Sequence, residues 1–208
     1  MTRLIDPPLA NLSLMMKQMC DLSVQSTTLA IDSYLDGQNA RKEVQQLSNQ
    51  MMELYDKIGD LTFEMILRYQ PVASDFRLIR SSLEISYGFT RLGRYSYDIA
   101  QVRDTFGDLS ECKNIVIYSL AGEIKHMINL SVECFATLDL QKANQLQTDE
   151  ELVDKYYNKH LPQLITLNSV KCALADALVL RYMERMADHA AFVGDSVNYI
   201  VNGTRKYR

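Results

Sequence analysis

Glycine and proline are scarce in this chain, at eight and four in 208 residues. That scarcity argues against a turn-rich sheet sandwich, and the abundance of Leu, Met, Ala, Glu and Gln favours long helices. Positive charge is not in excess either. The formal net charge is −4, which disfavours a surface built for nucleic acid or for an anionic membrane. The short basic end, Arg205-Lys206-Tyr207-Arg208, reads as a solvated tail. No stretch approaches the roughly 18 apolar residues that a membrane span needs. Asp6, Pro7 and Pro8 interrupt any hydrophobic region near the N-terminus, so neither a signal peptide nor direct membrane insertion is expected. The four cysteines, Cys20, Cys112, Cys134 and Cys172, are far apart and form no C-x-x-C. They are expected to be reduced, buried thiols of a cytosolic protein. Also missing are a G-x-S-x-G nucleophile turn, a phosphate-cradling P-loop and a G-x-G-x-x-G turn, so no familiar nucleotide site or nucleophile is expected.

What the chain has is helical periodicity almost throughout. Its apolar share of 47% and charged share of 23% are ordinary for a globular protein. Leu12, Met15, Met16, Met19, Leu22 and Leu29 mark a first helix ending near Asp36-Gly37. Val44, Leu47, Met51, Leu54, Ile58, Leu61 and Met65 mark a second, running from about Asn39 to Tyr69. Pro71 disfavours the right-handed helical conformation at Gln70 and so stops it. A third helix starts at or just after Pro71 and carries Ile85, Phe89, Leu92, Ser96, Ile99 and Phe106. A fourth carries Val116, Leu120, Ile124, Met127, Ser131, Phe135 and Leu138. A fifth is expected from about Asp149 or Glu150 to Leu167, with Pro162 as a kink or end. The sixth carries Val170, Leu174, Leu178, Tyr182, Met186, Ala190, Val193, Val197 and Ile200, and stops at Asn202-Gly203.

Short turns between long helices imply antiparallel neighbours. The break at Gly107-Asp108 divides the chain into near-equal halves of three helices, a repeat signature. Thr90-Arg91-Leu92-Gly93-Arg94 lies 94 positions before Glu184-Arg185-Met186-Ala187-Asp188, and similar small and apolar residues follow each. The expected fold is all-α: two stacked three-helix bundles, residues 1–107 and 108–208.

Two segments carry a family resemblance. One is Gln70-Pro71-Val72-Ala73-Ser74-Asp75-Phe76-Arg77. The other is Leu180-Arg181-Tyr182-Met183-Glu184-Arg185-Met186-Ala187-Asp188-His189, continued by Tyr199-Ile200-Val201-Asn202-Gly203. Both resemble signature segments of PhoU proteins, in order and spacing. Met19 with Ala30 to Leu35, and Phe135 to Asp149 with Asp139 and Ala143, resemble the same family. The resemblance implies a cytoplasmic, dimeric, non-enzymatic regulator of phosphate homeostasis. Its implied partners are the cytoplasmic subunit of a phosphate-uptake ABC transporter and a sensor histidine kinase. It also implies metal at a Glu/Asp-x-x-x-Asp motif in each repeat, as a single ion or a multinuclear cluster of iron, or of Zn, Mn or Mg.

Only the second repeat keeps that motif. Glu184 and Asp188 are four residues apart and project from one side of a helix. Carboxylates are hard ligands for such cations, but two do not complete a site. Asp149, Glu150 and Asp154 on the preceding helix are the candidates to complete it. The structural alternative is an acidic face paired with Arg181 or Arg185. In the first repeat Thr90 and Arg94 stand in the acidic positions, and Ser48 where the preceding helix usually supplies an aspartate. A fixed positive charge in a would-be cation site excludes a cluster there. Arg91 and Arg94 are left to hold an anion or to pair with acids, and Gln70 to Arg77 reads as a helix-start device.

Three rivals stand beside this reading. A carboxylate-bridged di-iron bundle needs Glu-x-x-His on two helices, and the chain has one, Glu123 to His126. A regulator attached to another ion-transport system, and a metal-binding protein, share the same helical pattern.

Overall fold

The computed structural model describes residues 3–113 and 115–204. The basic end from Arg205 onward lies outside them. Six α-helices are present among the described residues: α1 (Asp6–Leu35), α2 (Arg41–Tyr69), α3 (Ala73–Phe106), α4 (Ile115–Thr137), α5 (Leu140–His160) and α6 (Val170–Asn202). A short 3-10 helix, Leu161–Thr166, joins the last two. Helices α1, α2 and α3 pack on one another, as do α4, α5 and α6. The two three-helix bundles meet where α3 packs along α6 and α1 touches α4.

The helix ends follow from local chemistry. Gln70, ahead of Pro71, sits in the left-handed region at φ 43° and terminates α2. Gly203, at φ 74°, ends α6 with its N–H donating to the Tyr199 carbonyl. The start of α5 differs from the sequence expectation by about two and a half turns. Leu138 takes φ 51°, and the Asp139 carboxylate accepts from the N–H groups of Gln141 and Lys142. This cap opens α5 at Leu140, so Asp149 and Glu150 lie mid-helix. Pro162 begins the 3-10 turn rather than sitting inside an α-helix.

The apolar stripes of α1 to α4 face the core, except that Leu138, expected on the fourth helix, lies just past the end of α4 and is exposed. Met19, Met51, Ile58, Ile85, Leu92, Ile124 and Met127 are fully buried. In α6 the expected stripe is correct only in its second half. Val170 and Leu174 are 72% and 52% exposed, and Leu178 is also exposed. The first half of α6 buries Cys172, Ala175, Asp176, Val179 and Leu180 instead. Small residues let helices come close. A Cβ on Gly194 would stand 2.9 Å from the Ala143 carbonyl oxygen of α5. One on Gly93 would stand 3.3 Å from the Ser48 Oγ of α2.

Two of the four cysteines depart from expectation. Cys112, in the segment between the bundles, is disulfide-bonded to Cys172 in the first turn of α6, with Cα atoms 5.4 Å apart. The inter-repeat segment folds back over the start of α6, where Lys171 also donates to the Asp108 carbonyl. Cys20 and Cys134 are free and buried, and burial pushes both thiols up to about 12. Unfolded without reductant, the chain should titrate two thiols, and four after reduction. Replacing Cys112 by Ser should lower stability by about 2–4 kcal/mol in urea denaturation, since the bond closes a long loop.

A buried hydrogen bond also joins the bundles: the Tyr34 hydroxyl of α1 donates to Asp176 of α6 at 3.2 Å. Burial pushes the Asp176 carboxyl from 3.8 up to about 6, against the opposing effect of this bond. The folded chain then holds a proton that the unfolded chain releases. The associated stability is complete below about pH 4 and is lost as pH rises through about 6. Asp176→Asn should flatten that decline in denaturation curves taken across this range.

Candidate functional site

Helices α5 and α6 bring acids together along their shared groove. Side-chain oxygens of Glu150 and Asp154 on α5 and Asp188 on α6 lie within 4.8 Å of one another. The α5 pair is one helical turn apart, so both side chains reach the same side of the helix. Glu150 is buried, while Asp154 and Asp188 are partly exposed. Burial, followed by the nearby Glu184, raises the Asp188 carboxyl to about 6. Arg185 opposes that shift, while Asp154 and Glu150 add to it. A cation placed among these oxygens would relieve their mutual repulsion.

The other two candidate ligands are placed differently. Glu184 is buried and held by two arginines. It accepts from Arg181 at 2.8 Å and from the Arg185 Nε at 2.7 Å, and a second Arg185 nitrogen donates to its other oxygen. Arg185 also pairs with Asp188 at 2.7 Å. Asp149 is buried on α5, where Gln145 donates to one of its oxygens at 2.6 Å. Its other oxygen has no hydrogen-bond partner among the described residues. Asp195, which sequence reading passed over, borders the same acidic groove with Glu150, Asp188 and Phe192, in a cavity of about 330 Å³. Its spacing of seven from Asp188, two turns along α6, is the signal that could have found it.

The groove between α2 and α3 in the first bundle is built alike and charged differently. Thr90 donates its hydroxyl to the Tyr87 carbonyl. Arg94 pairs with Asp98 at 3.1 Å and lies over the Tyr97 ring. Ser48 packs beneath Gly93. Lower on α3, Arg77 donates to the Ile200 carbonyl of α6 at 3.0 Å. Asp75 pairs with Arg3 at 2.6 Å, so the segment Gln70 to Arg77 fastens the start of α3 to both ends of the fold.

The PhoU domain pattern matches residues 16–102 and 117–197, once in each bundle. The chain belongs to the PhoU family. A phosphate-specific transport system accessory protein PhoU homolog from Synechocystis is 28% identical over 170 residues, covering 79% of this chain and 75% of that protein. The PhoU homolog 1 of Mycobacterium bovis is 24% identical over 204 residues, covering 89% and 87%. The crystal structure of PhoU from Pseudomonas aeruginosa superposes with a TM-score of 0.90 at 22% identity, covering 96% of this chain and all of that one. PhoU from Streptococcus pneumoniae gives 0.77 at 16% identity, covering 98% and 100%. These likenesses establish the six-helix fold with its two PhoU repeats. No helix among the described residues is long and apolar enough to cross a membrane.

Proposed function

We propose that this PhoU-family chain is a non-enzymatic, cytoplasmic regulator of phosphate transport that works by binding. Its partners are the cytoplasmic subunit of a phosphate ABC transporter and a sensor histidine kinase, and it acts as a homodimer. The observation that carries the reading is its likeness, along most of its length, to proteins named as accessories of phosphate-specific transport. The exposed ridge of Val170, Leu174 and Leu178, one turn apart on α6, supports a docking role. Regulation by binding requires that the chain favour one state of its partner over another. In a binding assay with the purified cytoplasmic transporter subunit, the wild-type chain should be retained. Leu174→Glu should be retained at least about tenfold less, because a charge must be desolvated at the contact. No retention of the wild type would refute the transporter reading.

Metal belongs to the same proposal. Glu150, Asp154 and Asp188 suit one hard cation such as Mn, Mg or iron. A multinuclear cluster would need Glu184 to release both arginines. Bound metal would supply fixed positive charge that locks α5 to α6, with Arg185 steadying Asp188 beside it. Elemental analysis of the purified chain should find metal that is lost in Asp188→Asn and Glu150→Gln. Glu184→Gln should keep it and instead lose about 1–3 kcal/mol of stability, because two partly exposed arginines forfeit a buried partner.

A further inference from the structure

Two cavities adjoin on the face formed by α2, α3 and α6, sharing Tyr55 and Tyr87 as a common wall. One, of about 660 Å³, is aromatic: Tyr95, His189 and Phe192 border it, with Glu84, Asp188 and Arg185 as its charged groups. The other, of about 540 Å³, fills the α2–α3 groove and is bordered by Arg91, Arg94 and Tyr97, with Gln45 and Asn49 as amides. Each has the size of a small-molecule site, the first with a largely apolar wall and the second with a mostly polar one.

The electrostatics of the two ends differ. At the arginine end the two guanidiniums have two carboxylates near them, Asp56 on the border and Asp98 beside Arg94. Arg94 shares its charge with Asp98. Arg91 lies 5.2 Å over the Tyr95 ring, donates to that tyrosine's hydroxyl at 3.3 Å and forms no ion pair among the described residues. Asp98 attracts it at longer range, and its remaining N–H groups can donate to a ligand. At the aromatic end His189 borders the cavity beside Tyr95 and Phe192. Its ring is tilted against Tyr95 at 5.8 Å. Gly88 leaves room there: a Cβ at that position would stand 3.5 Å from the His189 Nδ1.

We propose that the paired cavities form one site for a small phosphate monoester that carries an aromatic ring. The phosphate lies at Arg91 and Arg94, and the ring lies among Tyr55, Tyr87 and Phe192. Guanidinium forks match phosphate oxygens, and tyrosine faces stack on flat rings. At the aromatic end Arg185 is already held by Glu184 and Asp188, so Arg91 is the better partner for the phosphate and the ligand has one orientation. Inorganic phosphate would fill only half of the site. The proposal does not depend on which transporter the chain serves.

Calorimetric titration of the full chain tests it, with adenosine monophosphate, ribose 5-phosphate and inorganic phosphate as probes. The monophosphate should bind at least about tenfold more tightly than inorganic phosphate. Arg91→Gln with Arg94→Gln should weaken it by a further factor of about ten. Tyr87→Ala should weaken adenosine monophosphate while leaving ribose 5-phosphate unchanged. Tyr87 is 53% exposed and the Arg94 side chain 59%, so circular dichroism should find these variants folded. Absence of adenosine monophosphate binding at millimolar concentration would overturn the proposal. So would binding that survives the double arginine change, or equal affinity for inorganic phosphate.

Discussion

Helices α3 and α6 each carry neighbours on three sides, and the rest of the fold follows from how they tolerate it. α3 packs against α1, α2 and α6, and α6 packs against α3, α4 and α5. A helix hemmed in so widely cannot present bulky side chains all round its axis. Buried Ser81, Ser82, Ser86, Gly88, Gly93 and Ser96 on α3 meet that demand. Ala187, Ala190, Ala191, Gly194 and Ser196 do so on α6. The serines bring hydroxyls into a dry interior. The Ser86 hydroxyl donates to the Leu83 carbonyl, whereas the Ser81 and Ser96 hydroxyls are buried with no partner among the described residues. An unsatisfied buried hydroxyl costs about 1–3 kcal/mol, which indicates how much the close approach is worth to the fold.

That spine also gives the two bundles grooves of matching construction and opposing chemistry. Between α5 and α6 the groove holds Glu150, Asp154 and Asp188. Between α2 and α3 the corresponding groove holds Arg91 and Arg94. Glu184 stands apart from the acidic trio because Arg181 and Arg185, its neighbours on the same helix, fold over it. The motif Glu-x-x-x-Asp thus divides its labour: the first acid anchors arginines and the second faces the groove.

The fold was legible where periodicity was strong. The stripes of α2 and α3, and the stops at Gln70 and Gly203, follow from side-chain spacing and backbone chemistry alone. The start of α5 was not, because Asp139 acts through a cap geometry that needs Leu138 at positive φ, a state foreign to leucine. The early half of α6 misled for another reason. Val170, Leu174 and Leu178 have core spacing, but burial went to the adjacent face with Ala175 and Val179. Of the candidate ligands, Glu150, Asp154 and Asp188 converge only because α5 runs antiparallel beside α6 at the right height. Sequence spacing constrains a register within one helix, not between two. The disulfide was hidden similarly, its cysteines 60 residues apart and brought together by the returning inter-repeat segment.

That bond also changes the topology of the chain. Residues 112 to 172 become a covalently closed ring that contains α4, α5 and the 3-10 turn. The first bundle leaves the ring at Cys112, and nearly all of α6 leaves it at Cys172. A single backbone break anywhere within the ring therefore separates nothing: both ends stay tied to the same sulfur pair, and α5 remains tethered beside the helix it packs on. A break in α2 enjoys no such insurance. The two repeats, alike in shape, are thus unequal in how they survive damage.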